Sequence, residues 1–311
     1  QGLFLSQTLT SRLDSLTQMR YGFSEGPLDV RLSAGYDAMP EIGVRHGHGN
    51  HDFSRLTRAN IRSTYHLDEA RSLDVDAGYL DGIQGKTADD PALFGFSTED
   101  ANYYPQAEFF RVRYTQETGP DDSWYVQYFL NRGTNSQRAN GIWIRYIQHD
   151  FEAQRTRRLG ERHVVTYGGN LRLDAMTNGD PWIDNVSHTA QFDNERSYNR
   201  QAGLFVQDRF EASDDWTLIG GVRADRNSYT GWEWAGRGTV LYHPAEAHTF
   251  RASVARAFRT PSLLDRELNT PAGPTGLAPL VPAYVLMQQG NDDLSASYVK
   301  AYEFGYTYHR E

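Results

Sequence analysis

Apolar and polar positions alternate most cleanly between Tyr198 and Ser262. Ala202, Leu204, Val206 and Phe210 share one parity, while Gln201, Gln207 and Arg209 share the other. A period of two marks a strand whose two faces meet different surroundings. The pattern then repeats: Trp216, Leu218, Val222 and Ala224 oppose Thr217, Arg223 and Asp225, and Trp232, Trp234, Val240 and Tyr242 oppose Arg237 and Thr239. A fourth segment sets His248, Phe250, Ala252, Val254 and Phe258 against Thr249, Arg251 and Ser253. Asp214-Asp215 and Pro244-Ala-Glu246 are short polar turns, so this stretch predicts a meander of antiparallel strands.

The rest of the chain reads the same way. A weak first segment at 17–23 precedes strands at 28–36, 59–67, 73–79, 110–114, 124–130, 142–146, 165–173 and 302–308, which makes thirteen in all. Ile142, Ile144 and Tyr146 supply the apolar positions of the seventh. Connections alternate between short turns, near 24–27, 67–72, 118–122, 156–162, 211–215 and 243–247, and long outer loops expected at 37–52, 81–107, 174–197 and 259–298. Antiparallel strands place alternate connections at opposite ends, so a short rim and a long rim are what an up-and-down transmembrane β-barrel produces. Segments of roughly 9–12 residues also suit a tilted membrane strand. An odd count does not close an ordinary bacterial barrel. Residues 1–311 are therefore expected to be part of one transmembrane barrel domain, all-β and antiparallel.

Composition sharpens that choice. Hydrophobic residues make up only 39% of the 311, mean hydropathy is -0.67, and aromatics reach 13%. A soluble sandwich of this size needs a large apolar core, whereas a wide barrel needs apolar residues on its outer face alone. No run of 18 apolar residues exists to form a membrane helix. The chain begins at Gln1 without a signal peptide, which reads as a processed or excised piece. With no cysteine there is no disulfide framework or thiolate chemistry. A net charge of -9 argues against nucleic acid as a partner.

Candidate chemistry is sparse. His46, His48 and His51 sit in a glycine-rich loop and are the candidates for a transition-metal site, although structural sites usually supply four ligands at fixed spacing. The segments 81–107 and 174–197 are acidic, which reads first as plain solvation, the default of exposed Asp and Glu, and second as capture of cations or the divalent ions that bridge lipopolysaccharide. Within those segments Phe94, Phe96, Tyr103, Tyr104 and Trp182 are the candidates for ligand contact, with Tyr103 and Tyr104 alternatively part of an interfacial girdle. The uncharged, proline-spaced stretch 268–291 reads as a loop whose Tyr284, Leu286 and Met287 either pack against neighbouring loops or line a ligand vestibule. Arg256 and Arg259, flanking Phe258, are expected on the apolar side at a strand's end, where a cation is tolerated only at the rim. Neither a zinc-protease helix motif, a nucleophile elbow nor a phosphate loop occurs, so no enzyme and no cofactor is implied.

Several strings resemble a known family. Gly203-Leu-Phe-Val-Gln-Asp208 with Trp216-Thr-Leu-Ile-Gly-Gly-Val-Arg-Ala-Asp-Arg226, then Ala252-Ser-Val-Ala-Arg-Ala-Phe-Arg-Thr-Pro-Ser262, are similar to motifs of TonB-dependent outer-membrane receptors. Asn291-Asp-Asp-Leu294 and Tyr302-Glu-Phe-Gly-Tyr306 continue the likeness, with Asp292 in place of the family's proline and Ser295-Ala-Ser297 in place of its Lys-Pro-Glu run. These strings cover about a third of the chain. The resemblance implies a barrel of twenty-two strands, of which these would be about thirteen, preceded by a plug domain that is not in the 311 residues. It further implies the outer membrane of a Gram-negative bacterium, contact with its lipid and lipopolysaccharide, and uptake of an iron-siderophore complex or another bulky nutrient. Uptake would be driven by the TonB complex through a TonB box. Arg256, Phe258, Arg259 and Pro261 become structural motif residues on this reading. A passive porin-like channel is the alternative, and an outer-membrane hydrolase a third.

Overall fold

In the computed structural model the described residues are 2–42, 44–45, 48–49, 51–90, 97–137, 142–178, 191–192, 196–275, 284–288 and 290–309. The alternating segments become strands β1 (Gly2–Leu9), β2 (Ser15–Glu25), β3 (Leu28–Met39), the two-residue β4 (Val44–Arg45) and β5 (His48–Gly49), β6 (Ser54–His66), β7 (Arg71–Asp90), β8 (Ser97–Tyr103), β9 (Gln106–Gly119), β10 (Asp122–Gln137), β11 (Ile142–Leu159) and β12 (His163–Asn178). After β13 (Gln191–Phe192) come β14 (Arg196–Glu211), β15 (Trp216–Asn227), β16 (Gly231–Ala245), β17 (His248–Arg259), helix α1 (Leu263–Glu267), β18 (Leu268–Thr275), β19 (Tyr284–Gln288) and β20 (Ser297–Tyr308). A single antiparallel sheet of 15 strands runs in chain order from β1 to β20, with β9 between β7 and β10. Its two edge strands do not pair with each other, so the sheet is unclosed.

Two strands go beyond the thirteen that alternation predicts. Along β1, Leu3, Leu5 and Leu9 oppose Phe4, Ser6 and Thr8, yet every residue pairs with β2. The string Ser97-Thr-Glu-Asp-Ala-Asn-Tyr103 of β8 is polar on both sides and pairs with the extension of β7 as far as Asp90. Backbone ladders satisfy N–H and C=O groups whatever the side chains are. A strand that leaves the zone of two different surroundings keeps its pairing and loses its alternation. Much of 81–107 is for that reason strand, and 268–288 holds the β18–β19 hairpin, with a register shift between Pro271 and Gly273.

Register fixes which residues share a face. Tyr21, Leu32, Ile61, Ala77, Phe110 and Leu130 stand directly opposite one another across six strands on the apolar face. Large side chains there are exposed: Leu204 by 72%, Val222 by 61%, Trp232 by 70% and Phe304 by 77%. Among the described residues only Met176 and Ala296 are buried apolar side chains. Among the described residues no dry core lies between two sheets, and Val254, 50% exposed, is on the open apolar face.

Three placements differ from the sequence reading. Ile144 and Tyr146 share the parity of Asp150 and Glu152, so the apolar face of β11 is carried instead by Ile147, Phe151 and Ala153. The strand is 18 residues long, more than an apolar zone requires, and its loop-side end no longer needs the same alternation. Arg256 shares the parity of Phe258, but Arg259 falls on the other, opposite Ser297.

Candidate functional site

The polar face is built from charges that meet across neighbouring strands. Arg62, Asp76 and Arg111 stand opposite one another on β6, β7 and β9; the Nε of each arginine donates to a different carboxylate oxygen at 2.7 Å, and Asp76 is only 5% exposed. Arg58 pairs with Asp37 at 2.9 Å. Tyr125 donates to Glu152, with the Arg113 guanidinium 3.7 Å over its ring. Further along, Arg172 donates to Asp174 at 2.9 Å, and Arg251 to Glu303 at 3.2 Å.

The tightest cluster joins β12, β14 and β15. Arg223 grips Asp225 through two bonds of 2.6 Å and reaches Asn170 at 2.7 Å, while Gln201 donates to Asp225 at 3.1 Å. A carboxylate so enclosed is tolerated because it is ion-paired and hydrogen-bonded. Gly203 makes room for it: a Cβ there would lie 2.3 Å from Asp225 Oδ1 and 2.5 Å from Arg223 Nη2.

At the rim of long connections, Pro261 ends the β17 segment and Ser262 caps α1. The Ser262 hydroxyl and backbone N–H donate to the Asp265 carboxylate at 2.8 and 2.9 Å, and the Asp265 N–H donates back to Ser262 Oγ at 3.1 Å. Those bonds hold the Asp265 carboxyl below the usual carboxylate range. The helix thereby delivers Arg266 and Glu267, both buried, to Tyr229 in the β15–β16 turn. Tyr229 donates to the Tyr198 carbonyl at 2.8 Å and to Glu267 at 3.2 Å, and the Arg266 guanidinium lies 4.3 Å over its ring. Burial and the Glu267 charge push the Tyr229 hydroxyl up to about 12. Arg266 also donates to the Leu294 carbonyl at 3.3 Å, and Asn291 N–H to the Asp265 carbonyl at 3.1 Å. A Cβ on Gly290 would sit 2.1 Å from the Arg266 carbonyl oxygen, so the two segments meet backbone to backbone. The strings around Ser262 and Asn291 are thus two halves of one knot.

The sequence candidates distribute unevenly. Tyr103 closes β8 opposite Gln84, on the polar parity, half-buried, with Tyr104 beside it. That face suits contact with a polar vestibule rather than an interfacial girdle. Phe94, Phe96, Trp182 and His46 lie outside the described residues. Tyr284 and Met287 lie on β19 at positions paired with Thr275 and Pro271. His48 lies on β5, while the His51 ring meets Asn102 Oδ1 at 2.9 Å and the Phe53 edge at 5.1 Å. Among the described residues no three His, Cys, Asp or Glu side chains cluster as metal ligands. Arg256 lies 3.9 Å over the Trp234 ring and 4.1 Å over that of Tyr298, and donates to the Trp234 carbonyl. The knot around Tyr229 was missed by reading alternation, though Ser262-x-x-Asp265 is the pattern of a capping box.

A family model described as "TonB dependent receptor-like, beta-barrel" matches residues 4–311. The ferrienterobactin receptor of Escherichia coli (strain K12) is 27% identical over 169 residues, 52% of this chain and 22% of that protein. The solved siderophore receptor PirA from Pseudomonas aeruginosa superposes over 99% of this chain and 52% of its own, with a TM-score of 0.71 at 14% identity. The copper transporter OprC gives 0.72 at 12% identity over 99% of this chain and 50% of its own. The chain thus spans about half the length of those solved structures and less than a quarter of the E. coli receptor.

Proposed function

The chain belongs to the TonB-dependent receptor-like β-barrel family, and from that premise we propose that it is barrel wall of an outer-membrane receptor for a scarce, bulky nutrient, foremost an iron-siderophore complex. The observation that carries the membrane part is the apolar face. Trp216, Tyr242, Phe250 and Tyr306 stack in succession at the short-turn rim, with ring centroids 4.3, 6.4 and 4.9 Å apart. Trp232 and Trp234 stand near the opposite rim on the same face. Trp232 and Tyr242 are separated along β16 by ~33 Å at roughly 3.3 Å per residue, and a tilt of about 40° projects this to about 25 Å, the height of an outer-membrane apolar band.

The polar face would line the interior, where paired charges offer a hydrated wall. A plug domain and TonB box in the complete protein would couple it to the TonB complex, making it an active receptor and not an enzyme. Tyr103 on the polar parity and Tyr104 beside it, with Phe94, Phe96, Trp182, Tyr284 and Met287 on the long connections, are the proposed ligand contacts. The similarity to a ferrienterobactin receptor favours a ferric siderophore as cargo. Deleting the gene and supplying iron only as defined ferric siderophores is the test. Growth should fail on at least one siderophore and return with the intact gene; unchanged growth on all of them, with unchanged uptake of labelled complexes, refutes the cargo assignment.

A further inference from the structure

The backbone ladder is incomplete between β16 and β17 at the long-loop rim. β15 pairs with β16 as far as Asn227 and Gly231, and β17 pairs with β20 as far as Arg259 and Ser297. Between them, β16 and β17 pair only up to Gly236 and Arg256. The rungs that would follow, Ala235 with Ala257, Trp234 with Phe258 and Glu233 with Arg259, are missing although both strands continue. Side chains fill the gap instead. Arg256 lies between the Trp234 and Tyr298 rings, 3.9 and 4.1 Å from their centroids, and donates to the Trp234 carbonyl. Tyr298 of β20 reaches past β17 to donate to Glu233, which is buried. Above the gap, α1 leads from the end of β17 to Tyr229 in the β15–β16 turn and ties the two strand tops together.

These fastenings break more easily than a ladder. A cation over an aromatic ring at an exposed rim is weak beside a run of backbone hydrogen bonds. The α1 tie is also under-satisfied: among the described residues Arg266 Nε, Glu267 Oε2 and Thr230 Oγ1 are buried without a hydrogen-bond partner. Each such atom raises the free energy of the closed arrangement relative to one that lets water reach it. Trp232 and Trp234 place the gap at the edge of the apolar band, where water can satisfy freed backbone groups. Deeper in hydrocarbon nothing would.

We propose that this seam is a side opening in the barrel wall, held shut by Arg256 and by the α1 tie, which parts at the rim as a bulky cargo enters the vestibule. It rests on the uptake role proposed above. Parting separates only the unpaired segments Gly231–Ala235 and Ala257–Arg259, so the mouth widens while the rungs from Gly236 and Arg256 onward stay formed.

The test uses the full-length receptor, with any cysteine elsewhere removed, carrying Ala235→Cys and Ala257→Cys across the first missing rung. In cells, bridging the two thiols with a short bismaleimide should abolish uptake of the ferric siderophore on which growth depends, while capping both with N-ethylmaleimide should leave uptake intact. In bilayers, spin labels on the same two cysteines should broaden each other's spectra, because neighbouring strands lie only about 5 Å apart. Adding Arg256→Gln should remove that broadening from a separated fraction, with heat-modifiable mobility in gels retained as the sign of a folded barrel. A bridged receptor that transports at the capped rate overturns the opening, as does undiminished broadening in a folded Arg256→Gln receptor. Should no siderophore depend on the receptor, the cargo reading falls by itself, and the spin labels decide the seam.

Discussion

Asp225, only 1% exposed, is the most enclosed large side chain of the polar face, and its partners decide what its loss would cost. Removing one member of a fully buried ion pair costs about 3–5 kcal/mol. Arg223 is 35% exposed and keeps Asn170, so screening by water lowers the figure for Asp225→Ala to about 2 kcal/mol. Denaturant unfolding of the full receptor reads it; a cost below about 0.5 kcal/mol, the range of ordinary surface changes, would contradict the cluster's role. Gly203→Ala should destabilise on its own, and by less when Asp225 is already alanine, because the clash with Oδ1 has gone. Strictly additive effects would argue that the close approach is not what Gly203 provides. Gly203 and Asp225 were both legible as members of family-like strings, but their contact was not. They are 22 positions apart, and only the β14–β15 register sets them opposite each other.

Among the elements, α1 is a helix of only five residues and depends on its cap. Substituting Ser262 by alanine should cost about 1 kcal/mol, seen as faster amide exchange at 263–267 with exchange in β15 and β16 unchanged. The knot that α1 makes is also sensitive to alkali. Tyr229 lies in the β15–β16 turn, outside the proposed membrane zone, and its hydroxyl is raised to about 12 from an ordinary value near 10. A raised folded value means that its contribution is whole below pH ~10 and is lost as pH climbs from there through about 12. Between those limits protection of the amides at 263–267, relative to their intrinsic exchange at each pH, should fall in the native chain and stay flat in Tyr229→Phe; equal falls in both would remove Tyr229 as the cause. Strand identity was legible wherever two surroundings differ, which is why β14 to β17 follow the reading at every position but Arg259. It failed for β8, whose sequence does not alternate, and for the loop-side end of β11, where backbone pairing continues the strand.

At the scale of the whole molecule, the account turns on which side of the sheet meets hydrocarbon. Each large apolar side chain left in water rather than lipid forgoes roughly 1.5–3 kcal/mol, and the apolar face carries such residues on most strands of the sheet from β1 to β20. A soluble protein does not expose a surface of that extent. Overall class and family were legible from alternation and motifs together, because a membrane imposes one rule on every strand. Cargo was not, because the proposed ligand contacts lie on the long connections, where no such rule acts. These 311 residues contain no cysteine, so single cysteines placed in them are read in a receptor from which any cysteine elsewhere has been removed. Placed one at a time from Leu218 to Asp225 in the full-length receptor in bilayers and labelled with a fluorophore, they test the central claim most directly. Brominated lipid tails should quench the label at 218, 220, 222 and 224 and spare it at 219, 221, 223 and 225. Uniform quenching, no quenching at any position, or quenching of the odd set would contradict the account.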